Sequence, residues 1–139
     1  MKSVFADADY WIALFHPREE LHERARQASA KLHPVRIVTS EMVLTEVLNG
    51  IGSRGEQIRG KACEAVRKLR DNPNVTVVPQ TSTQFAEALS FFCGHQDKQW
   101  SITDCASFGI MRESGLTEAL TYDRHFEQAG FTALLRHSE

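Results

Sequence analysis

Five short apolar stretches with strand character are spread along the chain: SVFA at 3–6, RIVT at 36–39, VTVV at 75–78, EALT at 118–121 and TALL at 132–135. Longer segments of helical period lie between them. From Glu20 to His33, Leu21, Ala25, Ala28 and Leu32 recur at i, i+4, i+7 and i+11, and residues 56–71 repeat the pattern with Ile58, Ala62, Val66 and Leu69. Strands that alternate with helices call for a mostly parallel α/β sheet of about five strands, with helices on both faces reached by right-handed crossovers. Most crossovers have room for two helical segments. Pro17, Pro34, Asn72-Pro73-Asn74 and Pro79 punctuate the joints. With 139 residues and no internal repeat, low-complexity stretch or linker, a single domain over 1–139 is expected.

Several function classes drop out at this level. Sixteen basic against 18 acidic residues give a net charge of −2, so any nucleic-acid binding must come from a local patch. Cys63, Cys93 and Cys105 are scattered and odd in number, which predicts buried thiols in a reducing compartment and neither a disulfide framework nor a zinc site. The longest apolar runs, such as YWIALF at 10–15, are too short to span a bilayer, and MKSVFADAD is no secretion signal. A cytoplasmic protein is expected.

In a parallel sheet, sites form outside the carboxyl ends of the strands, so the residues that follow each strand matter most. Asp7 follows SVFA, with Asp9 two further on, and Asp123 follows EALT across Tyr122. RIVT leads into a helix opened by Ser40, with Glu46 on its second turn, about 9 Å along the axis. Helical side chains tilt toward the N-terminus, which lets a long glutamate reach back to the strand ends. Asp104 opens a helix whose next residues, Cys105, Ala106, Phe108, Gly109, Ile110 and Met111, leave almost no polar face. Asp7, Glu46, Asp104 and Asp123 can therefore meet at one end of one sheet. Four carboxylates there repel one another, burial disfavours their charge, and no lysine or arginine stands beside all of them. A divalent cation resolves this, and hard oxygen ligands suit Mg²⁺ or Mn²⁺. Such ions activate water and stabilise the leaving oxygen in phosphodiester cleavage.

Each acid also has a plainer role open to it. Ser101-Ile-Thr-Asp104 fits a capping box, Asp7 and Asp9 can each cap the helix of YWIALF, Asp123 can start the turn of DRHFEQAGF, and Glu46 can be a solvated flank. The segment 54–71 carries an excess of three positive charges, readable as an RNA-facing surface or as a solvated helix face. Arg124 and His125 adjoin Asp123, with substrate contact or surface and capping roles both open. His16, His22, His33, His95 and His137 show no ligand spacing, and Trp11, Phe15, Phe91, Phe92 and Trp100 are expected in the core or an interface.

The segments VFADADYWIALF, TSEMVLTEVLNGI, WSITDCASFGIM and ALTYDRHFEQAGF, in this order and over nearly the whole chain, resemble a PIN domain, and within that superfamily the VapC-type toxins of bacterial toxin–antitoxin pairs. The resemblance implies a metal-dependent endoribonuclease whose acidic quartet is matched by Asp7, Glu46, Asp104 and Asp123. It also implies a homodimer, an RNA substrate, and a small antitoxin whose tail occupies the acidic groove. Asp9 departs from the pattern, since many relatives carry serine, threonine or asparagine there. Two other functions compete. Asp7-Ala-Asp9 can be the nucleophile and acid/base of a haloacid-dehalogenase-like phosphatase, with Thr39 at the second strand's end, although no lysine and no later acidic pair fit that scheme. A non-catalytic PIN-like module would keep the groove only to bind a basic peptide.

Overall fold

The computed structural model describes residues 1–136. Along the chain run β1 (Lys2–Ala6), α1 (Ala8–Phe15), α2 (His22–Leu32), β2 (Val35–Ser40), α3 (Glu41–Gly52), α4 (Glu56–Asp71), β3 (Val75–Val78), α5 (Ser82–Cys93), α6 (Ile102–Ser114), β4 (Glu118–Leu120), α7 (Arg124–Gln128) and β5 (Thr132–Ala133). The five strands form one all-parallel sheet in the order β3-β2-β1-β4-β5. Three crossovers carry two helices each, as the spacing predicts. The chain first steps outward from β1 to β2 and β3, then returns across the sheet to β4 and β5. Right-handed crossovers in opposite directions place α1–α4 on one face and α5–α7 on the other. Strands β1 and β4 are thus the neighbours where the winding reverses, and a crevice opens at their carboxyl ends.

Packing explains which helices are deep and which are shallow. Helix α6 buries every residue from Thr103 to Phe108, with Ile110 and Met111, as its nearly all-apolar sequence requires. Phe108 is fully buried and meets Trp100 at 5.2 Å, Phe126 at 5.1 Å and Phe131 at 5.8 Å between ring centroids, fastening α6 to α7 and the last strand. Gly115 ends α6 at φ +67°, a left-handed turn that glycine adopts without strain. The Leu116 amide then reaches the Met111 carbonyl at 2.8 Å, and Leu116 is buried as the chain enters β4. Helix α4 buries only Ala62, Val66 and Leu69; its arginines and lysines lie on the exposed side.

The strand expected over 132–135 is shorter than its apolar run. Pairing stops at Ala133 because β4 offers only three residues, and the chain turns with the Arg136 amide on the Ala133 carbonyl at 3.1 Å. Leu135 is nevertheless fully buried. The cysteine expectation needs correcting: Cys105 is buried, Cys63 half-buried, and Cys93 exposed at the end of α5, where one flank of the helix meets solvent. His137 lies outside the described residues. Among the described residues no helix is long and apolar enough to cross a membrane.

Candidate active site

The β1–β4 register decides the centre of the crevice. Ala6 pairs with Leu120, so the next residues, Asp7 and Thr121, emerge side by side. The Asp7 amide donates to the Leu120 carbonyl at 3.1 Å, and the Thr121 hydroxyl lies 3.1 Å from Asp7 Oδ2. Asp7 occupies the N-cap position of α1, yet its side chain makes no capping bond there. Capping therefore does not account for it. Burial pushes its carboxyl well above the ordinary range, and Asp9, Asp104 and Glu46 push it further, against only the Ala8 amide.

Asp9 stands one step into α1 and crosses the same crevice. Its Oδ2 accepts the Tyr122 amide at 2.8 Å and lies 3.2 Å from the Thr121 hydroxyl, while its Oδ1 is buried with no hydrogen-bond partner. Burial, partly offset by those bonds, raises this carboxyl to about 6. The Thr121 hydroxyl also accepts the Asp123 amide at 3.1 Å. One hydroxyl thus ties both aspartates near the end of β1 to the turn that carries Asp123.

Asp104 and Asp123 perform their plainer roles and still reach the crevice. Asp104 closes a capping box: its amide donates to Ser101 Oγ at 3.0 Å and its Oδ2 accepts the Ser101 amide at 3.0 Å. Asp123 caps α7, with Oδ1 accepting the His125 amide at 2.9 Å. The His125 ring bridges the two acids, with Nδ1 at 3.0 Å from Asp104 Oδ2 and 3.3 Å from Asp123 Oδ1. Ionised carboxylates only accept, so Nδ1 donates. Burial raises the Asp104 carboxyl and Asp123 adds to that, while the Ser101 amide and His125 lower it.

Glu46 sits at the rim, open to solvent on one side. Partial desolvation raises its carboxyl; the Thr103 hydroxyl bonds it and lowers it, and Asp104 and Asp123 raise it again. Asp7 feels the charges of Asp9, Asp104 and Glu46, and Glu46 those of Asp104 and Asp123, so these acids lie near one another at this end of the sheet. No lysine or arginine is paired with any of them among the described residues.

These features fit a divalent cation. Donor atoms of Asp104, Asp123 and His125 lie within 4.8 Å of one another, the raised carboxyls have no lysine or arginine partner among the described residues, and Asp9 Oδ1 is a buried acceptor with nothing to accept. Carboxylate oxygens are a donor set that Mg²⁺ and Mn²⁺ accept. A phosphatase arrangement fits less well. The Thr39 hydroxyl is fully buried, donates to the Ala6 carbonyl at 2.9 Å and takes the Trp11 indole N–H at 3.2 Å, which leaves it nothing for a phosphate.

Thr121 is not singled out from sequence, and His125 is, but without its bridging role. Thr121 reads there as the last residue of a strand, although a hydroxyl at a buried strand end two residues before an aspartate is a usable signal. His125 is visible only as a neighbour of Asp123; its bridge to Asp104 spans 21 residues and depends on how α6 and α7 pack.

A family model described as the PIN domain matches residues 4–132. The chain is similar to the 23S rRNA-specific endonuclease VapC20 of Mycobacterium tuberculosis, 29% identical over 128 residues that cover 92% of this chain and 95% of that protein. The crystal structure of VapC20, described as a Sarcin-Ricin loop cleaving toxin, superposes with a TM-score of 0.83 at 27% identity, covering 93% and 96% of the two chains. The fold is also that of FitAcB from Neisseria gonorrhoeae, with a TM-score of 0.61 at 16% identity over 94% of each chain. FitAB bound to a DNA fragment gives 0.66 at 14%, covering 98% of this chain and 97% of that one.

Proposed function

Because the chain belongs to the PIN domain family and is a VapC-type metal-dependent endoribonuclease of the toxin–antitoxin class, we propose that Asp7, Glu46, Asp104 and Asp123 are its working acids. The observation that carries this is the convergence of these carboxylates at the β1–β4 crevice with no lysine or arginine paired to them among the described residues. Asp7, Asp104 and Asp123 would hold Mg²⁺ or Mn²⁺, with His125 beside them. When bound, the ion supplies an activated water and charge stabilisation at the scissile phosphate. Glu46, at the solvent side, would help orient metal or water there. His125 Nδ1 keeps the Asp104 and Asp123 carboxylates in register, and Thr121 does so for Asp7 and the Asp123 turn.

Ribosomal RNA of the large subunit is the first substrate to test, given the relative's named activity. A small antitoxin covering the crevice and a second copy of this chain are the partners proposed. For the second copy, support comes from α5, where Phe85, Leu89 and Phe92 stand exposed at i, i+4 and i+7.

The test incubates purified protein with bacterial ribosomal RNA in Mn²⁺, in Mg²⁺ and in chelator, beside Asp7→Asn and Asp104→Asn. Discrete fragments are expected from the wild type with metal, and a loss of at least about a hundredfold in either variant. Equal cleavage by wild type and both variants would refute the assignment. A wild type that binds basic peptide but neither Mn²⁺ nor RNA would instead favour the non-catalytic module.

A further inference from the structure

One side of the acidic crevice has a cationic, aromatic border. Tyr122, next to Asp123, is 40% exposed, although its backbone is held on both sides: Asp9 Oδ2 takes its amide at 2.8 Å and Arg136 donates to its carbonyl at 3.2 Å. The guanidinium carbons of Arg24, from α2, and of Arg136 lie 5.4 and 5.1 Å from the centre of its ring. Arg24 donates to the Leu135 carbonyl at 2.8 Å and pairs with no carboxylate among the described residues, whereas Arg136 meets Glu127 at 3.1 Å. Arg124, on the other side of Asp123, is exposed and has no partner among the described residues. Three positive charges, one of them paired with Glu127, and an exposed ring thus stand beside a cluster that repels polyanions.

We infer that Tyr122, with Arg24, Arg136 and Arg124, is the docking platform for single-stranded or looped RNA, setting the strand against the acidic centre. This rests on the nuclease function proposed above. A half-exposed ring on a backbone held at both ends, with guanidiniums over it, offers an unpaired base a layer of ring and guanidinium planes to stack on, and the same cations suit the flanking phosphates. The platform also resolves a difficulty raised by the net charge of −2: the attraction for RNA is local, and it lies next to the cutting site.

The experiment uses the full chain and the same ribosomal RNA, at protein concentrations in excess of RNA, so that half-saturation and maximal cleavage rate are read separately. Anisotropy of a fluorescein-labelled, mixed-sequence oligoribonucleotide in chelator reports binding without cleavage. Tyr122→Leu is expected to weaken half-saturation and binding about tenfold, with Tyr122→Phe restoring both. Arg24→Gln and Arg124→Gln are each expected to lower the slope of log affinity against log salt by about 0.7. Unchanged binding and salt slope in all variants would overturn the platform, as would a loss confined to the maximal rate, which would make Tyr122 a support for Asp123. Thermal melts identify a variant that fails to fold, and the remaining substitutions then decide. Wild-type cleavage in Mn²⁺ is the internal reference: its absence counts against the nuclease, whereas its presence with insensitive variants counts against the platform alone.

Discussion

Asp9 shows how a single side chain can be both necessary and unfavourable. Its Oδ2 fixes the turn before Asp123 through the Tyr122 amide, and its Oδ1 remains buried without a partner. The carboxyl rises from the ordinary 3.8 to about 6, so between those values the folded protein binds more protons than the unfolded chain. Stability from this group is therefore greatest at low pH and is lost as pH rises through about 6. Asp9→Asn, which keeps an acceptor and removes the charge, should stabilise the metal-free protein at pH 8 by about 1–2 kcal/mol, reduced by partial solvent exposure, and by much less at pH 4.5. Melts in chelator at the two pH values check this. An equal gain at both would mean that packing, not charge, limits this position.

At the level of elements, the first turn of α6 is a cap that also carries a proposed working acid. Ser101 and Asp104 bond each other's amides at 3.0 Å, and the same Asp104 oxygen receives His125. Removing the serine hydroxyl loosens the helix start that aims the carboxylate. Ser101→Ala is expected to lose roughly 1 kcal/mol of stability and to cut the cleavage rate several-fold. Thr81, whose hydroxyl accepts the Gln84 amide at 3.0 Å to cap α5, provides the control. Thr81→Ala should show a similar loss in a urea melt with cleavage unchanged. If both variants cleave like the wild type, the box matters to the helix alone.

For the whole molecule, the like-charged crevice makes stability dependent on its counter-ion. Mn²⁺ at a hundredfold excess over its dissociation constant should stabilise the fold by about 2.7 kcal/mol at pH 8, and by less at pH 5, below the value of about 6 to which the neighbouring Asp9 carboxyl is raised. A melting temperature insensitive to Mn²⁺ at both pH values would argue against a metal centre. The exposed Phe85, Leu89 and Phe92 bear on assembly. Sedimentation should find a dimer, and Leu89→Asp should shift it toward monomer by placing a charge in an apolar contact; a monomeric wild type would remove α5 from consideration. Much of this was legible in sequence, because parallel α/β topology follows from local periodicity and because acids just past strand ends occupy defined places. Those patterns determined the layered fold, the paired-helix crossovers and the four acids. What they leave open depends on register and on helix packing. That Thr121 sits beside Asp7 follows from the Ala6–Leu120 pairing, and that His125 bridges Asp104 and Asp123 follows from how α7 seats on Phe108. That Asp104 and Asp123 cap their helices and still approach each other through His125 likewise appears only in three dimensions, because distance between residues far apart in the chain is set by tertiary packing and by nothing local.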